Sequence, residues 1–171
     1  METRKENEKL RYMVRAGMFA ALTALMTALL HIPVGNGYIH CGDAVIFLAA
    51  LSLPLPYAAG AAAIGGMLAD ILAGYTSYAL PTFLIKGMLA VVFSLMCRKQ
   101  SSVTRQIAAL IVCGLVSVIG YWVTAVVMYG GWAAQFWGTV PGNCIQAAGS
   151  GVVYAALAAA MRHSVGRTTL A

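Results

Sequence analysis

The stretch QIAALIVCGLVSVIGYWVTAVVM, residues 106–128, decides the fold class because none of its side chains is charged. A helix needs about 20 apolar residues to cross a bilayer. The charge-free run continues to Met161 and is long enough for two such helices, and two further charge-free runs cover residues 16–42 and 44–69. The sequence therefore predicts an integral membrane protein with several spans.

The overall composition supports the same class. Hydrophobic residues make up 61% of the 171, charged residues only 9%, and the mean hydropathy is +0.81. Soluble domains carry about a quarter charged residues, so a soluble or nucleic-acid-binding module is not expected. Ten of the eleven Lys and Arg residues lie in three patches, in an N-terminal arm, a mid-chain turn and the C-terminal tail: Arg4, Lys5, Lys9, Arg11, Arg15; Arg98, Lys99, Arg105; Arg162, Arg167.

The basic patches predict the topology, since basic loops stay on the cytoplasmic side. With the arm and the mid-chain turn on one side, the chain between them crosses an even number of times. Prolines and glycines favour four crossings there. We therefore predict an all-α, six-transmembrane-helix bundle with both termini cytoplasmic, in helices near Ala16–Leu30, Cys41–Leu53, Tyr57–Ala73, Pro81–Cys97, Gln106–Met128 and Thr139–Met161.

The predicted domain organisation is a basic arm (1–15), one membrane domain (16–162) and a cytoplasmic tail (163–171). The three predicted outer loops cover residues 31–40, 74–80 and 129–138. They contain no Lys or Arg, as this topology requires.

Three charged residues remain inside the apolar region: Asp43, Asp70 and Lys86. All three fall in the outer half of the predicted bundle. Charged side chains at a helix centre cost roughly 2.5 to 3.5 kcal/mol on insertion scales, so they usually face the interior and find partners. The alternatives are that Lys86 snorkels to the outer headgroups and that Asp43 caps its helix.

Other polar and aromatic side chains are expected at the same end. Asn143 and Gln146, at i and i+3, face the same way on the sixth helix and would offer amides to a ligand or to another helix. Loop aromatics such as Tyr38, Tyr75, Tyr78 and Trp132 would stack on a planar ligand or form an interfacial belt. A lysine with amides and aromatics suits a planar polar heterocycle carrying an acceptor or partial negative charge.

Alanines recur every four residues on the first helix, at Ala16, Ala20, Ala24 and Ala28. Small residues at this spacing let another helix approach closely. The partner is either a helix of the same bundle or another protein. A second small-residue stripe, Ala61, Gly65 and Ala69, is expected to be internal.

Three motifs resemble the substrate-binding S components of energy-coupling factor (ECF) transporters of the vitamin type. They are GDAVIFLAA (42–50), GGMLADILAGY (65–75) and PTFLIKG (81–87). The resemblance implies a six-helix subunit, not an enzyme, that captures a vitamin or related heterocycle at the outer face of the bacterial cytoplasmic membrane. It implies as partners an EcfT-type coupling subunit, docked on the four alanines, and two ATPases. No cofactor is implied.

The substrate-binding set predicted from residues and resemblance together is Lys86, Asn143, Gln146, Asp70, Asp43, Tyr38, Tyr75, Tyr78, Thr82 and Trp132. Riboflavin, pyridoxine, a thiamine precursor and a queuosine precursor all stay open as substrate.

Other functions stay open at this point. His31, His40, Cys41 and Asp43 would suit a nickel or cobalt S component, although their spacing fits no common site. Asp70 and Lys86 would suit a stand-alone proton-linked carrier, although no internal repeat of the kind found in many carriers is evident. A purely structural subunit would leave Lys86 unexplained. The chain has no G-x-x-x-x-G-K-[ST] phosphate loop and no His-Glu-x-x-His motif.

Overall fold

The computed structural model describes residues 2–34, 37–97 and 102–168, with side chains at 4–33, 38–97 and 102–161. Within these ranges the chain forms six α-helices and one β-hairpin. The helices are α1 (Glu2–Ala28), α2 (Gly42–Ser52), α3 (Leu55–Leu72), α4 (Ala79–Cys97), α5 (Val103–Tyr129) and α6 (Trp132–Thr168), and the strands are β1 (His31–Val34) and β2 (Gly37–His40). The helical class is confirmed, with a small hairpin added.

Proline and glycine set several helix boundaries as predicted. Leu53 is extended ahead of Pro54, since a residue before proline avoids the helical region, and α3 begins directly afterwards. Gly74 follows α3 with φ +83°, and Gly130 and Gly131 separate α5 from α6 with φ +72° and +74°. Only glycine adopts this left-handed region without strain.

The first and last helices differ most from the sequence prediction, and α6 also continues to Thr168 instead of ending near Met161. The first helix begins at Glu2 instead of Ala16, so the basic arm continues the same helix. Lys, Glu and Arg are good helix formers, and no breaker separates the arm from the apolar run. The predicted loop 129–138 is mostly helix, because α6 begins at Trp132 just after the two glycines. Arg98, Lys99 and residues 169–171 lie outside the described ranges.

The hairpin replaces the predicted first outer loop. Its strands pair antiparallel, with His31 opposite His40 and Pro33 opposite Tyr38. Ile and Tyr favour strands, and a two-stranded sheet has only edge strands, where proline is tolerated. The hairpin contacts α1 and α6. We call the end of the bundle that it covers the hairpin end.

Helix α2 is the centre of the bundle. It contacts α1, α3, α4 and α6, while α3 packs between α1 and α4, and α5 between α4 and α6. Most α2 residues from Gly42 to Ala50 are buried. At 11 residues the helix is about 16 Å long, less than the roughly 30 Å of bilayer hydrocarbon. Because its neighbours enclose it, a short helix suffices here.

The small-residue stripes of α1 and α3 meet inside the bundle. Ala20 is 8% and Ala24 4% exposed. A Cβ added to Gly65 would lie 2.7 Å from the Ala20 carbonyl oxygen, which leaves room for no larger residue. Ala61 and Ala69 are buried as well, so the prediction that the α3 stripe is internal is confirmed.

The outer surface of the bundle is apolar. Helix α3, the segment Thr76–Cys97, α5 and the segment Trp132–Met161 are each long and apolar enough to cross a membrane. Large apolar side chains on these segments point outward, including Leu84, Val127 and Val152. Helices satisfy their own backbone hydrogen bonds, as lipid requires. The chain is a multi-pass helical membrane protein.

Candidate functional site

A cavity of about 60 Å³ lies beneath the hairpin, lined by strand β2 and by side chains of α1, α3, α4, α5 and α6. One water needs about 10 to 15 Å³ on this measure, so the cavity has room for a few waters. Eight of the ten predicted binding residues line it: Tyr38, Asp70, Tyr75, Tyr78, Thr82, Lys86, Asn143 and Gln146.

The other two predicted residues lie elsewhere. Asp43 is buried on α2 and contacts two of the lining side chains, Lys86 and Gln146. Trp132 is 63% exposed and packs edge-on against Trp122 with ring centroids 5.4 Å apart. The structure therefore places Asp43 behind the cavity wall and Trp132 away from the cavity.

Lys86 is held in a buried ion pair. Its Nζ donates to Asp43 Oδ1 at 2.6 Å, and both side chains are at most 3% exposed. Nζ also lies 5.4 Å from the centroid of the Tyr121 ring, within the range of cation–π attraction. The ammonium is therefore paired inside the bundle and does not snorkel to a headgroup.

Gln146 links the hairpin to α2 through both ends of its amide. Its Oε1 accepts from the His40 backbone N–H at 2.5 Å, and its Nε2 donates to Asp43 Oδ2 at 3.1 Å. Each end of the amide thus has the kind of partner it needs. The predicted ligand amide is in this structure a bridge that fixes β2 over the cavity.

His40 is a neutral imidazole that caps α2. The Gly42 backbone N–H lies 3.0 Å from His40 Nδ1, and since an N–H only donates, Nδ1 accepts and the ring proton is on Nε2. Burial, followed by the positive charge of Lys86, lowers the pKa of His40 to about 3. His40 therefore adds no positive charge to the site at neutral pH.

Asp70 has one satisfied oxygen and one free oxygen. The Tyr38 hydroxyl donates to Asp70 Oδ1 at 2.5 Å. Burial, and next the Asp70 charge, raise the pKa of the Tyr38 phenol, so Tyr38 keeps its proton and remains the donor. Asp70 is 4% exposed, and its Oδ2 is buried without a hydrogen-bond partner in the described part of the chain.

Aromatic rings form one side of the cavity. The Tyr38 ring lies 4.8 Å from that of Tyr75 and 5.0 Å from that of His31, while Tyr78 also lines the space. On α4 and α5, the Thr82 and Tyr121 hydroxyls are 3.1 Å apart. Rings around a few fixed polar groups are typical of small-molecule sites.

Seven lining residues were not predicted from the sequence as binding residues: Thr27, Ile39, His40, Tyr121, Gly138, Thr139 and Gly142. Tyr121 carried a weak signal, as a hydroxyl within the charge-free run. His40 was considered only as a metal ligand. Among the described residues no group of three or more His, Cys, Asp or Glu is arranged to hold a metal ion, so a metal cargo has no structural support there.

The fold and the cavity define a multi-pass membrane protein with a polar site enclosed at one end of an apolar helix bundle. A family model described as "ECF-type riboflavin transporter, S component" matches residues 7–163. The chain belongs to this family, so it is an S component of the ECF transporters, a family of transporter subunits and not of enzymes.

A further similarity extends over much of the chain. An archaeal protein from Pyrococcus woesei, described as "Uncharacterized protein in gap 3'region", is 32% identical over 136 residues. The match covers 78% of this chain and 88% of that protein.

Proposed function

We propose that this chain captures a vitamin or related heterocyclic precursor at the outer face of the cytoplasmic membrane. It then delivers the substrate inward with an EcfT-type coupling subunit and two ATPases. The observation that carries the proposal is the cavity beneath the hairpin, in a chain that belongs to a family of transporter S components. Asp70 lines this cavity, and its Oδ2 is buried without a hydrogen-bond partner among the residues that the structure describes.

The distribution of basic residues supports the cavity's orientation. The basic residues of α1 lie in its N-terminal half, whereas the hairpin follows its C-terminal end. Arg105, at the start of α5, lies next to Cys97 at the far end of α4 from the cavity residue Thr82. Basic ends stay cytoplasmic, so the hairpin end faces outward. We propose six membrane spans in total: the four long apolar segments, together with α1 and the enclosed α2.

The size of the cavity bears on substrate entry. The matched family is named for riboflavin, but sites for drug-sized ligands usually measure about 300 to 1,000 Å³. A vitamin-sized substrate therefore requires the cavity walls to move apart. The bonds from Gln146 to His40 and from Tyr38 to Asp70 join the hairpin to α6 and α3, and opening there would break them.

Docking of the coupling subunit on α1 is part of the proposal. Ala20 and Ala24 are covered within the bundle, while Ala16 and Ala28 are half-buried. A partner would reach these two, together with the exposed Gly17 and Ala21 on the outward side of the same helix.

The test is mass spectrometry of small molecules released from the detergent-purified chain. We expect one heterocycle in about equimolar amount, lost in Asp70→Ala but retained in the control Trp132→Ala, because Trp132 lies away from the cavity. Co-purification with the coupling subunit and ATPases tests the second half of the proposal. An empty protein that also fails to assemble with these subunits would contradict the proposed function.

A further inference from the structure

The charges around the cavity do not balance. Asp43 and Asp70 each contribute a carboxylate, and Lys86 contributes one ammonium, which contacts Asp43 at 2.6 Å. His40 is neutral, as its hydrogen bond from the Gly42 N–H shows. The described residues at this end of the bundle therefore leave one net negative charge, and it lies on Asp70.

The residue that carries the free oxygen lines the cavity. Asp70 lines the cavity and is 4% exposed, and its Oδ2 has no hydrogen-bond partner within the described ranges. The Thr82 side chain is close enough to interact with the Asp70 carboxyl, but its hydroxyl carries no positive charge. Leaving a buried ionised oxygen unpaired is costly, so native structures rarely do so without a functional reason.

The Tyr38 bond shows Oδ1 of Asp70 acting as an acceptor. At 2.5 Å the oxygen–oxygen distance falls in the range of roughly 2.5 to 2.7 Å that is typical of a hydroxyl donating to a carboxylate. Oδ1 is therefore occupied as an acceptor, whereas Oδ2 has no hydrogen-bond partner among the described residues.

We propose that the substrate carries a positively charged nitrogen that binds Asp70 Oδ2, so that the cargo is a cationic aromatic heterocycle. This inference rests on the proposed substrate-binding function and narrows its substrate class. It reverses the polarity expected from the sequence, where a free Lys86 suggested a ligand with an acceptor or negative charge. Lys86 is not free, because Asp43 already holds its ammonium.

The tyrosine rings on one side of the cavity suit the same ligand. The rings of Tyr38 and Tyr75 have centroids 4.8 Å apart. The Tyr38 hydroxyl donates to Asp70 Oδ1, so this ring pair lies beside the carboxylate. Aromatic faces attract cations as well as planar rings. A ligand whose ring packs on these tyrosines and whose ammonium reaches Oδ2 satisfies both features together.

The experiment compares heterocycles that differ only in the charged group. Titration calorimetry at pH 7 on the full chain, freed of co-purified small molecules, measures Kd for three pairs: pyridoxamine and pyridoxine, aminomethyl- and hydroxymethyl-4-amino-2-methylpyrimidine, and 7-aminomethyl- and 7-cyano-7-deazaguanine. In the pair that fits the cavity, we expect the aminomethyl member to bind at least about tenfold more tightly, since charge-assisted bonds are roughly twice as strong as neutral ones.

Two variants assign the preference to Asp70. Asp70→Asn keeps the shape but removes the charge, and it should abolish the difference within the pair. Tyr38→Phe removes only the bond to Oδ1 and keeps the carboxylate, so the preference should persist. Gel filtration and thermal unfolding check that both variants fold, and the pairwise comparison on the unmodified chain needs no variant.

Three results of the titrations overturn the inference. They are equal or better binding of the neutral members, a preference that survives in Asp70→Asn, and no binding of any cationic member. A neutral heterocycle, such as riboflavin, retained by the purified chain would also overturn the cationic class. That last result would leave the substrate-binding role intact, so the two proposals fail separately.

Discussion

Lys86 on α4 and Asp43 on α2 form an ion pair with an Nζ–Oδ1 distance of 2.6 Å, although the two residues are 43 positions apart in the sequence. Asp43 receives a second donor from Gln146 on α6. The pair and Gln146 together therefore join three helices behind the cavity wall. The ammonium of Lys86 is thus paired within the bundle, whereas Asp70 Oδ2 has no hydrogen-bond partner in the described part of the chain.

Breaking the ion pair from one side should destabilise the bundle. Lys86→Met leaves Asp43 buried without its cation, and removal of one partner from a buried pair costs about 3 to 5 kcal/mol. The double variant Asp43→Asn with Lys86→Met removes both charges and should recover most of that loss. Thermal unfolding in detergent measures this. A single variant as stable as the original chain would show that the pair is not formed.

Replacement of His40 by asparagine should reduce acid sensitivity. Because the pKa of His40 is lowered to about 3 from its ordinary value of 6.5, the unfolded chain takes up a proton that the folded chain does not. Stability is therefore lost as pH falls from about 6.5 towards 3. His40→Asn keeps an acceptor that reaches the Gly42 N–H, as an Asx turn does, but does not titrate.

The measurement is the unfolding temperature at a series of pH values between 7 and 4. We expect the original chain to lose more stability than His40→Asn over this range. All other titratable side chains are the same in both proteins, so the difference between the two curves reports His40. Parallel curves would mean that His40 is protonated in the folded chain.

Neighbouring alanines of α1 should respond oppositely to enlargement. Ala20 is 8% exposed against the Gly65 backbone, so Ala20→Leu overpacks the α1–α3 contact and should cost about 1 to 3 kcal/mol. Ala21 is exposed, and Ala21→Leu should leave stability nearly unchanged. Thermal unfolding separates the two. Equal tolerance at both positions would show that α1 does not pack on α3 through this stripe.

Ala21→Leu also probes partner docking. If the outward side of α1 contacts the coupling subunit, this variant folds and binds substrate but loses co-purification with that subunit. Unimpaired assembly would place the docking surface elsewhere.

The sequence predicted much of the fold because its signals are local. The Pro54 and Gly130 breaks act on their immediate neighbours, and the charge-free runs require helices. The hairpin escaped prediction since Pro33, Gly35 and Gly37 are equally typical of a loop. The first helix was predicted too short because its charged arm suggested a cytoplasmic tail, whereas Lys and Arg are themselves good helix formers.

The polar residues of the cavity were predicted by a rule that does not give their hydrogen-bond and ion-pair partners. Charged and amide groups in apolar helices indicate a polar interior, which found Asp70, Lys86 and Gln146. Which carboxylate pairs with Lys86 depends on how α2, α3 and α4 pack, and that is a long-range property. The sequence therefore does not distinguish Asp43 from Asp70. In the structure Asp43 pairs with Lys86, whereas Asp70 lines the cavity.

Gly66 on α3 lies against the stem of Lys86, and a Cβ placed there would be 2.7 Å from Lys86 Cγ and 3.1 Å from Thr82 Cγ2. The long side chain thus occupies the volume that any other residue at position 66 would need. In evolution the two positions are therefore tied to one another. A lineage that replaces Lys86 by a short side chain removes the closest of these contacts and leaves Thr82 Cγ2 at 3.1 Å, whereas a lineage that first acquires alanine at 66 must shift the lysine that pairs with Asp43. Substitutions are thus expected in one order, with position 86 changing before position 66.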